Sequence, residues 1–116
     1  MLNRRKAVLI VCSEEETDYA IKNGWTILVR KRYPKFIDKP FEVYLYCKKP
    51  HFKVMAKGTY SHNSICEFGD KDYYNWTIKD IVPLDQSPLL LMENGIGGYT
   101  GVHNKPTVWQ YVYIYE

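Results

Sequence analysis

Four cationic side chains follow a short apolar run in the first third of the chain. Arg30, Lys31 and Arg32 come directly after "WTILV", and Lys35 follows Pro34. A guanidinium group can hold a phosphate through two hydrogen bonds, and neighbouring lysines add point charge. The cluster therefore predicts a site for a phosphate-bearing ligand. The alternative is a solvated turn that only aids solubility.

Aromatic side chains that could stack on a base lie close to these cations in the sequence. Aromatic residues make up 16 % of the chain, and 11 residues are tyrosines. Stacking of a base on an aromatic ring contributes ~1–3 kcal/mol per base. Trp25 and Tyr46 are the residues we expect to do this. The aromatic row of the final stretch "TVWQYVYIYE", which begins with Trp109, is expected in the core or at its rim.

Cysteine and histidine residues form two mixed pairs that are weak candidates for a metal site. Cys47 and His51 make one pair, and His62 and Cys66 make the other. The intervening "HFKVMAKGTYSH" has the composition of a strand, which would hold the pairs about 30 Å apart at ~3.3 Å per residue. We therefore expect no metal and no other cofactor. Cys12 precedes a helix start that could lower its pKa, but packing at a strand end is the favoured interpretation.

Bulk properties restrict the class of protein. A chain of 116 residues with 46 % hydrophobic and 25 % charged residues is expected to form one soluble domain over residues 1–116. No apolar run approaches the ~18 residues of a membrane span, and "AVLIVC" is too short for a secretory signal. Three scattered cysteines do not make a disulfide framework, so a reducing, cytoplasmic location is expected. The net charge of +3 is mild, so any inference about partners depends on where the charges lie.

The N-terminal third predicts a strand, a helix and a second strand. The run "KAVLIVC" is typical of a strand buried on both faces. Ser13 and Glu16 have the spacing of a capping box for a helix over residues 14–23, which Gly24 would end. The inner stripe of this helix is expected to consist of Thr17, Ala20 and Ile21. In the strand "WTILVR", alternation places Thr26 and Leu28 on the face of Arg30.

The rest of the chain predicts four more strands. These are "FEVYLYCK", "KVMAKGTYS" with a weakening Gly58, "TIKDIVPL" and the strongly alternating "TVWQYVYIYE". The polar "HNSICEFGDKDYYNW" is expected to be a loop, and "DQSPLLLM" could hold a short second helix. A flap over the cleft is a hypothesis for the glycine-rich residues 94–101. The fold class is therefore α+β and mostly β, a small mixed β-barrel of about five to six strands with one early helix.

Several of these segments together resemble a known family. The strand "AVLIV", the capped helix, "NGWTILVRKRYPK", "PFEVYLYCKKP", "WTIKDI" and "KPTVWQYVYI" are similar to the ASCH branch of the PUA-like superfamily. The resemblance is closest to small ASCH-like proteins of phages and prophages. It implies a small β-barrel with a cleft beside the helix, and an association with RNA, modified bases or nucleotides. A few ASCH-like bacterial proteins are amidohydrolases that act on acetylated cytidine.

The family signature GxKxxExR is only partly present. Anchored on Arg30, its glycine falls on Asn23, its lysine on Trp25 and its glutamate on Leu28. Thr26, which often follows the lysine in relatives, is kept. Neither Trp25 nor Leu28 can activate a nucleophile or transfer a proton. An amidohydrolase is therefore disfavoured, unless Lys22 replaces the missing lysine.

The sequence thus predicts a non-catalytic PUA-like domain that binds RNA, single-stranded DNA or a nucleotide-like small ligand. Trp25 and Tyr46 would stack on a base, and the phosphate would be held by Arg30, Lys31, Arg32 and Lys35. Thr26 is a further expected ligand-binding residue. Two alternatives stay open: a phage-encoded protein that inhibits a host defence or nucleoprotein complex, and a cytidine-type amidohydrolase.

Overall fold

A computed structural model describes residues 4–32, 34–35, 37–48, 50–68, 71–86, 88, 90–93, 99–100 and 111–115. One helix and eight strands are assigned within this part of the chain. In chain order they are β1 (Arg5–Cys12), α1 (Glu14–Asn23), β2 (Thr26–Arg30), β3 (Phe41–Cys47), β4 (Lys53–Phe68), β5 (Lys71–Pro83), β6 (Leu91–Glu93), β7 (Tyr99–Thr100) and β8 (Tyr111–Tyr115).

The strands form one mixed sheet in the order β2-β5-β4-β3-β1-β8-β6-β7. β1 runs parallel to β3, and the other pairs are antiparallel. The fold is therefore α+β and mostly β, as predicted. The expected strands correspond to the six longer ones, since β6 and β7 have three and two residues.

The sheet is buried on both faces around β1 and β3. Residues that alternate along β1 divide between two hydrophobic clusters: Val8 and Ile10 belong to the first, Ala7 and Leu9 to the second. This confirms the prediction that "KAVLIVC" is buried on both faces. The first cluster, called here the inner core, also contains Ala20, Leu28, Phe41, Val43, Leu45, Ala56, Tyr60, Trp76 and Ile78. The second, called the outer core, also contains Val11, Tyr44, Tyr46, Val54, Leu90, Val112 and Ile114.

The sheet curls around the inner core but does not close into the barrel that the sequence suggested. The rings of Trp76 in β5 and Tyr111 in β8 lie with their centroids 5.4 Å apart, so side chains from distant strands meet inside the curl. β8 nevertheless pairs with β6 on the side away from β1, at Leu91 and Tyr115. Because β6 occupies that edge of β8, no pairing between β8 and β2 is found in the described residues.

The segment expected to be a loop between the fourth and fifth strands is extended instead. β4 and β5 pair from Ala56 and Pro83 to Phe68 and Lys71, so most of "HNSICEFGDKDYYNW" belongs to one long antiparallel hairpin. Gly58 lies at a register shift of this pairing. A Cβ atom there would come within 2.7 Å of Ile81 Cγ1 and 2.9 Å of the Lys79 carbonyl oxygen. The glycine is therefore required by close packing between the two strands.

The C-terminal third differs from the prediction in one element. α1 is the one helix among the described residues, and Leu91–Glu93 is a strand where a short second helix was considered. Tyr111 and Tyr113 pack against the inner core, in agreement with the expected core or rim position of the aromatic row. Trp109 and most of the glycine-rich segment 94–101 lie outside the described residues. No described helix is long and apolar enough to cross a membrane.

Candidate functional site

Local sequence fixes both ends of α1. The Ser13 hydroxyl accepts a hydrogen bond from the Glu16 backbone N–H at 3.1 Å, and Glu16 Oε1 accepts one from the Ser13 N–H at 2.9 Å. This is the predicted capping box, which satisfies donors that a helix N-terminus leaves free. Gly24 ends the helix with φ of 78°, and its N–H donates to the Ala20 carbonyl at 2.9 Å. The left-handed turn at Gly24 leads the chain directly into β2.

Arg30, at the end of β2, binds the start of α1. Its Nη1 donates to Glu16 Oε2 at 3.0 Å and its Nη2 donates to Glu16 Oε1 at 2.9 Å. Nη2 also donates to the Val11 carbonyl at 2.9 Å, and Nη1 to its neighbour's carbonyl at Val29. The Arg30 side chain is only 15 % exposed. One guanidinium thus joins β1, α1 and β2.

The electrostatic effect on Glu16 has two opposing parts. Partial burial disfavours the charged carboxylate and would raise the pKa of Glu16. The hydrogen bonds from Arg30 and Ser13, together with the positive charge of Arg30, act in the opposite direction and outweigh burial, so the pKa is lowered. Glu16 is therefore held as a carboxylate near neutral pH.

A groove of about 440 Å³ lies between α1 and β2. Its lining residues are Glu15, Glu16 and Tyr19 from the helix and Trp25, Thr26, Ile27 and Leu28 from the strand and the turn before it. The rings of Tyr19 and Trp25 meet edge to face, with centroids 5.8 Å apart and an interplanar angle of 87°. Trp25 is 45 % exposed and Tyr19 is 47 % exposed. The groove therefore presents an accessible aromatic corner.

The predicted site residues divide into four groups, of which Tyr46 alone forms the last. Trp25 and Thr26 line the groove, although the Thr26 side chain is buried. Lys31, Arg32 and Lys35 are exposed beyond the end of β2 and are not among the residues that line the groove. Arg30 is held internally by Glu16.

Tyr46 is separated from all of them. It is 3 % exposed and belongs to the outer core, and burial raises its pKa. Its ring cannot stack on an external base in this structure, because the outer core covers it.

Glu15 and Tyr19 are among the five groove residues that were not anticipated as site residues. Glu15 and Tyr19 are four residues apart and therefore share a face of α1. The sequence analysis assigned the acids of the first turn to helix capping and left Tyr19 without a role. The signal that could have found them is this shared face, because the turn at Gly24 places Trp25 beside it. The charged residues that line the groove are both acidic, so a phosphate is expected to bind outside it.

The described residues give little support for an activated cysteine or for a metal site made of cysteine and histidine. Burial raises the pKa of Cys12 well above its ordinary value, and burial also raises that of Cys47. The helix start therefore does not activate the Cys12 thiol. His51 Nε2 lies 3.4 Å from Glu14 Oε2. The side chains of His62 and Cys66 lie outside the described part of the chain, and within that part no group of three or more metal-binding side chains is found.

Position 25, where the alignment of the GxKxxExR signature on Arg30 expects a lysine, holds an aromatic ring. Trp25 lines the groove, whereas Lys22 is exposed near the helix end and is not among the lining residues. Comparison of the chain with models of protein families, with curated proteins and with solved structures finds no match. Assignments beyond the fold class therefore depend on the groove and on the charges around it.

Proposed function

We propose that this protein binds single-stranded nucleic acid along β2. A base would occupy the groove and stack on Trp25, and the phosphates that follow would contact Lys31, Arg32 and Lys35. The observation that supports this most directly is the arrangement of one strand: an exposed ring in a groove at its start and exposed cations just past its end. Aromatic stacking combined with a positive track is the usual way in which proteins bind single strands.

The aromatic corner supplies the base contact. Trp25 keeps nearly half of its surface exposed, and Tyr19 holds the indole from the side through its edge-to-face contact. An indole that is already positioned loses little conformational entropy when a base stacks on it. Removal of this ring should cost about 1–3 kcal/mol of binding free energy.

The acids of the groove determine which part of the ligand enters it. Glu15 and Glu16 repel a phosphate, whereas a carboxylate accepts hydrogen bonds from the amino groups of bases. Glu16 is already engaged by Arg30 and Ser13, so Glu15 is the acid better placed to meet a base. The base would therefore enter the groove and the phosphates would stay outside.

Arg30 has an indirect role in this proposal. Its guanidinium holds Glu16 and the Val11 carbonyl, so it fixes the groove wall. Within the basic cluster that follows "WTILV", the cations that remain exposed are Lys31, Arg32 and Lys35. Three phosphate contacts to a single strand give a slope of about −2 for log K against log salt.

The test is fluorescence anisotropy with a labelled RNA oligonucleotide, a single-stranded DNA of the same sequence and the corresponding duplex. We expect both single strands to bind better than the duplex, and affinity to fall between about 50 mM and about 200 mM salt. Trp25→Ala should weaken binding at every salt concentration. The double variant Lys31→Ala, Arg32→Ala should weaken it and reduce the salt slope.

Matched controls are available on the same chain. Phe52 is an exposed aromatic residue far along the sequence, and Lys53 is an exposed cation beside it. Phe52→Ala and Lys53→Ala should leave binding unchanged. Equal losses in the control and site variants, or binding that does not respond to salt, would contradict the proposal.

A further inference from the structure

Two exposed rings form a right-angled corner in the groove between α1 and β2. The ring planes of Tyr19 and Trp25 meet at 87°, with centroids 5.8 Å apart, and nearly half of the surface of each residue is exposed. Ile27, which is also exposed, adds an aliphatic side chain to the lining. The face of an aromatic ring carries partial negative charge, so such a corner attracts a cation that tolerates an apolar surface.

Glu15 supplies a negative charge beside this corner. It precedes Tyr19 by about one helical turn, which places the two Cβ atoms about 5–6 Å apart on the same face of α1. The second acid of the groove, Glu16, is paired with the Arg30 guanidinium through two hydrogen bonds, so its charge is compensated. Within the described part of the chain, no ion pair or hydrogen bond to the Glu15 carboxylate is found. The charge of Glu15 is therefore available to a ligand.

The other acids at the start of α1 lie on a different side of the helix. Glu14 Oε2 is 3.4 Å from His51 Nε2, in the turn that follows β3. The charges of Glu14 and Asp18 both act on the Cys47 thiol and raise its pKa, after the larger effect of burial. Neither acid is among the residues that line the groove. Among the lining residues, the uncompensated charge is therefore that of Glu15.

We propose that the groove binds a small molecule that carries a quaternary ammonium group. The ammonium group occupies the corner between Tyr19 and Trp25, its methyl groups contact the rings and Ile27, and Glu15 neutralises its charge. Recognition of quaternary ammonium ions by aromatic rings is an established use of the cation–π interaction. The volume of about 440 Å³ lies within the range of pockets that bind small molecules.

Other classes of ligand fit this corner less well. An anionic group would be repelled by the Glu15 carboxylate. A metal ion requires several polar ligands, and no group of three or more metal-binding side chains is found in the described residues. A primary ammonium is strongly hydrated and has three N–H donors to satisfy, whereas the corner consists of ring faces and an aliphatic side chain. A methylated ammonium has no such donors, so it loses less on entering the groove.

Nucleic-acid binding is not required for this site. Both ligands would use the Trp25 ring, so a quaternary ammonium ion and a base would compete for the groove. Choline binding is measured without nucleic acid. Failure of choline to bind would refute the ammonium site and leave the oligonucleotide measurement intact, and an oligonucleotide that does not bind would leave the choline measurement intact.

The first experiment is a titration of isotope-labelled protein with choline chloride at constant ionic strength. It follows the indole N–H signal of Trp25 by NMR, identified by its absence from the spectrum of Trp25→Phe. The comparison ligand is 3,3-dimethyl-1-butanol, in which an uncharged carbon replaces the nitrogen of choline. We expect a saturable shift with choline and about fivefold weaker binding of the neutral alcohol. No saturable shift up to about 100 mM choline, or equal binding of the two compounds, overturns the proposal.

The second experiment tests the role of Glu15. Glu15→Gln should weaken choline binding about fivefold and leave binding of the neutral alcohol unchanged, because the substitution removes the charge and keeps the shape. Glu14→Gln is the matched control, since Glu14 is an acid of the same helical turn that lies beside His51. Its affinity for choline should equal that of the unmodified chain. Equal effects of the two substitutions, or no effect of Glu15→Gln, would refute the proposal, and the dispersion of the same spectra shows that each variant is folded.

Discussion

The guanidinium of Arg30 and the carboxylate of Glu16 meet through two parallel hydrogen bonds of 3.0 and 2.9 Å. The same carboxylate caps the helix by accepting from the Ser13 N–H, and the same guanidinium donates to the Val11 carbonyl. A single ion pair therefore connects the end of β1, the start of α1 and the end of β2, which are the elements that form and support the groove.

Removal of the Arg30 side chain should destabilise the protein. Arg30→Ala removes two hydrogen bonds to the Glu16 carboxylate, which keeps its bond from the Ser13 N–H, and one hydrogen bond to the Val11 carbonyl. A partly buried acceptor that loses its donor costs about 1–3 kcal/mol of unfolding free energy. Arg30→Lys should recover only part of this, because an ammonium group cannot reproduce the two-pronged contact. Urea unfolding measures the change.

Arg32→Ala is the matched control for this measurement. Arg32 lies two residues further along, and its side chain is exposed. Its removal should alter the unfolding free energy by no more than about 0.5 kcal/mol. If Arg30→Ala and Arg32→Ala lower the free energy of unfolding equally, the hydrogen bonds of the Arg30 side chain make no specific contribution to stability.

The lowered pKa of Glu16 makes stability depend on pH in the acid range. The pKa of this group is lower in the folded chain than its ordinary value of 4.5. The stability that it contributes is therefore fully present above about pH 4.5 and is lost as the pH falls through the folded pKa. In Glu16→Gln this group no longer titrates, so we expect a smaller decrease in unfolding free energy between pH 5 and pH 3 than in the unmodified chain, by urea unfolding.

Glu15→Gln controls for the general effect of acid. Glu15 precedes Glu16 on the same helix turn and is exposed, with no hydrogen bond to it among the described contacts. Its pH profile should follow that of the unmodified chain. An unchanged profile for Glu16→Gln would show that the pair with Arg30 does not depress the pKa.

Two glycines should respond differently to the same substitutions. Gly24 has φ of 78° and no neighbour within 4 Å of an added Cβ. Gly24→Ala should therefore lower the free energy of unfolding only by the strain of the left-handed backbone, about 1–2 kcal/mol. Gly24→Asn should cost less, because asparagine adopts this conformation more readily. At Gly58 any side chain collides with Ile81, Ile78 and the Lys79 carbonyl.

Gly58→Ala and Gly58→Asn should therefore both destabilise the protein, by about 1–3 kcal/mol or more, and asparagine should be the worse of the two. The order of alanine and asparagine is thus reversed between the two positions. Thermal unfolding of the four variants measures it, and the same order at both sites would refute the packing explanation for Gly58.

Local patterns in the sequence were sufficient for the elements around the groove. The spacing of Ser13 and Glu16 predicted the capping box, Gly24 predicted the helix end, and alternation in "WTILVR" predicted that Thr26 and Leu28 share the face of Arg30. These features depend on neighbours within a few residues, so one sequence contains the information. The helix and β2, which together line the groove, could therefore be predicted.

Features that depend on distant contacts could not be predicted in the same way. The partner of Arg30 lies 14 residues earlier, and a basic cluster alone does not reveal that one of its members is paired internally. Alternation in β3 separated Tyr46 from Leu45 but could not show that the outer core covers the tyrosine face. The outer part of the β4–β5 hairpin, within residues 62–76, was missed because much of it is polar, and a search for apolar periodicity overlooks a strand held by backbone pairing.

The two described cysteines should be inert towards thiol reagents in the folded protein. Cys12 and Cys47 are opposite each other on β1 and β3, both are buried, and burial raises the pKa of both. A thiol reacts as its thiolate, so inaccessibility and a raised pKa act together. In a Cys66→Ser background, we expect almost no reaction with a disulfide reagent at about pH 8, and reaction of both thiols once urea unfolds the chain. The folded-state rate should follow the unfolding equilibrium as denaturant is added. Rapid reaction of Cys12 without denaturant would instead indicate an accessible thiolate at the start of α1, and would reopen the possibility of a nucleophile beside the groove.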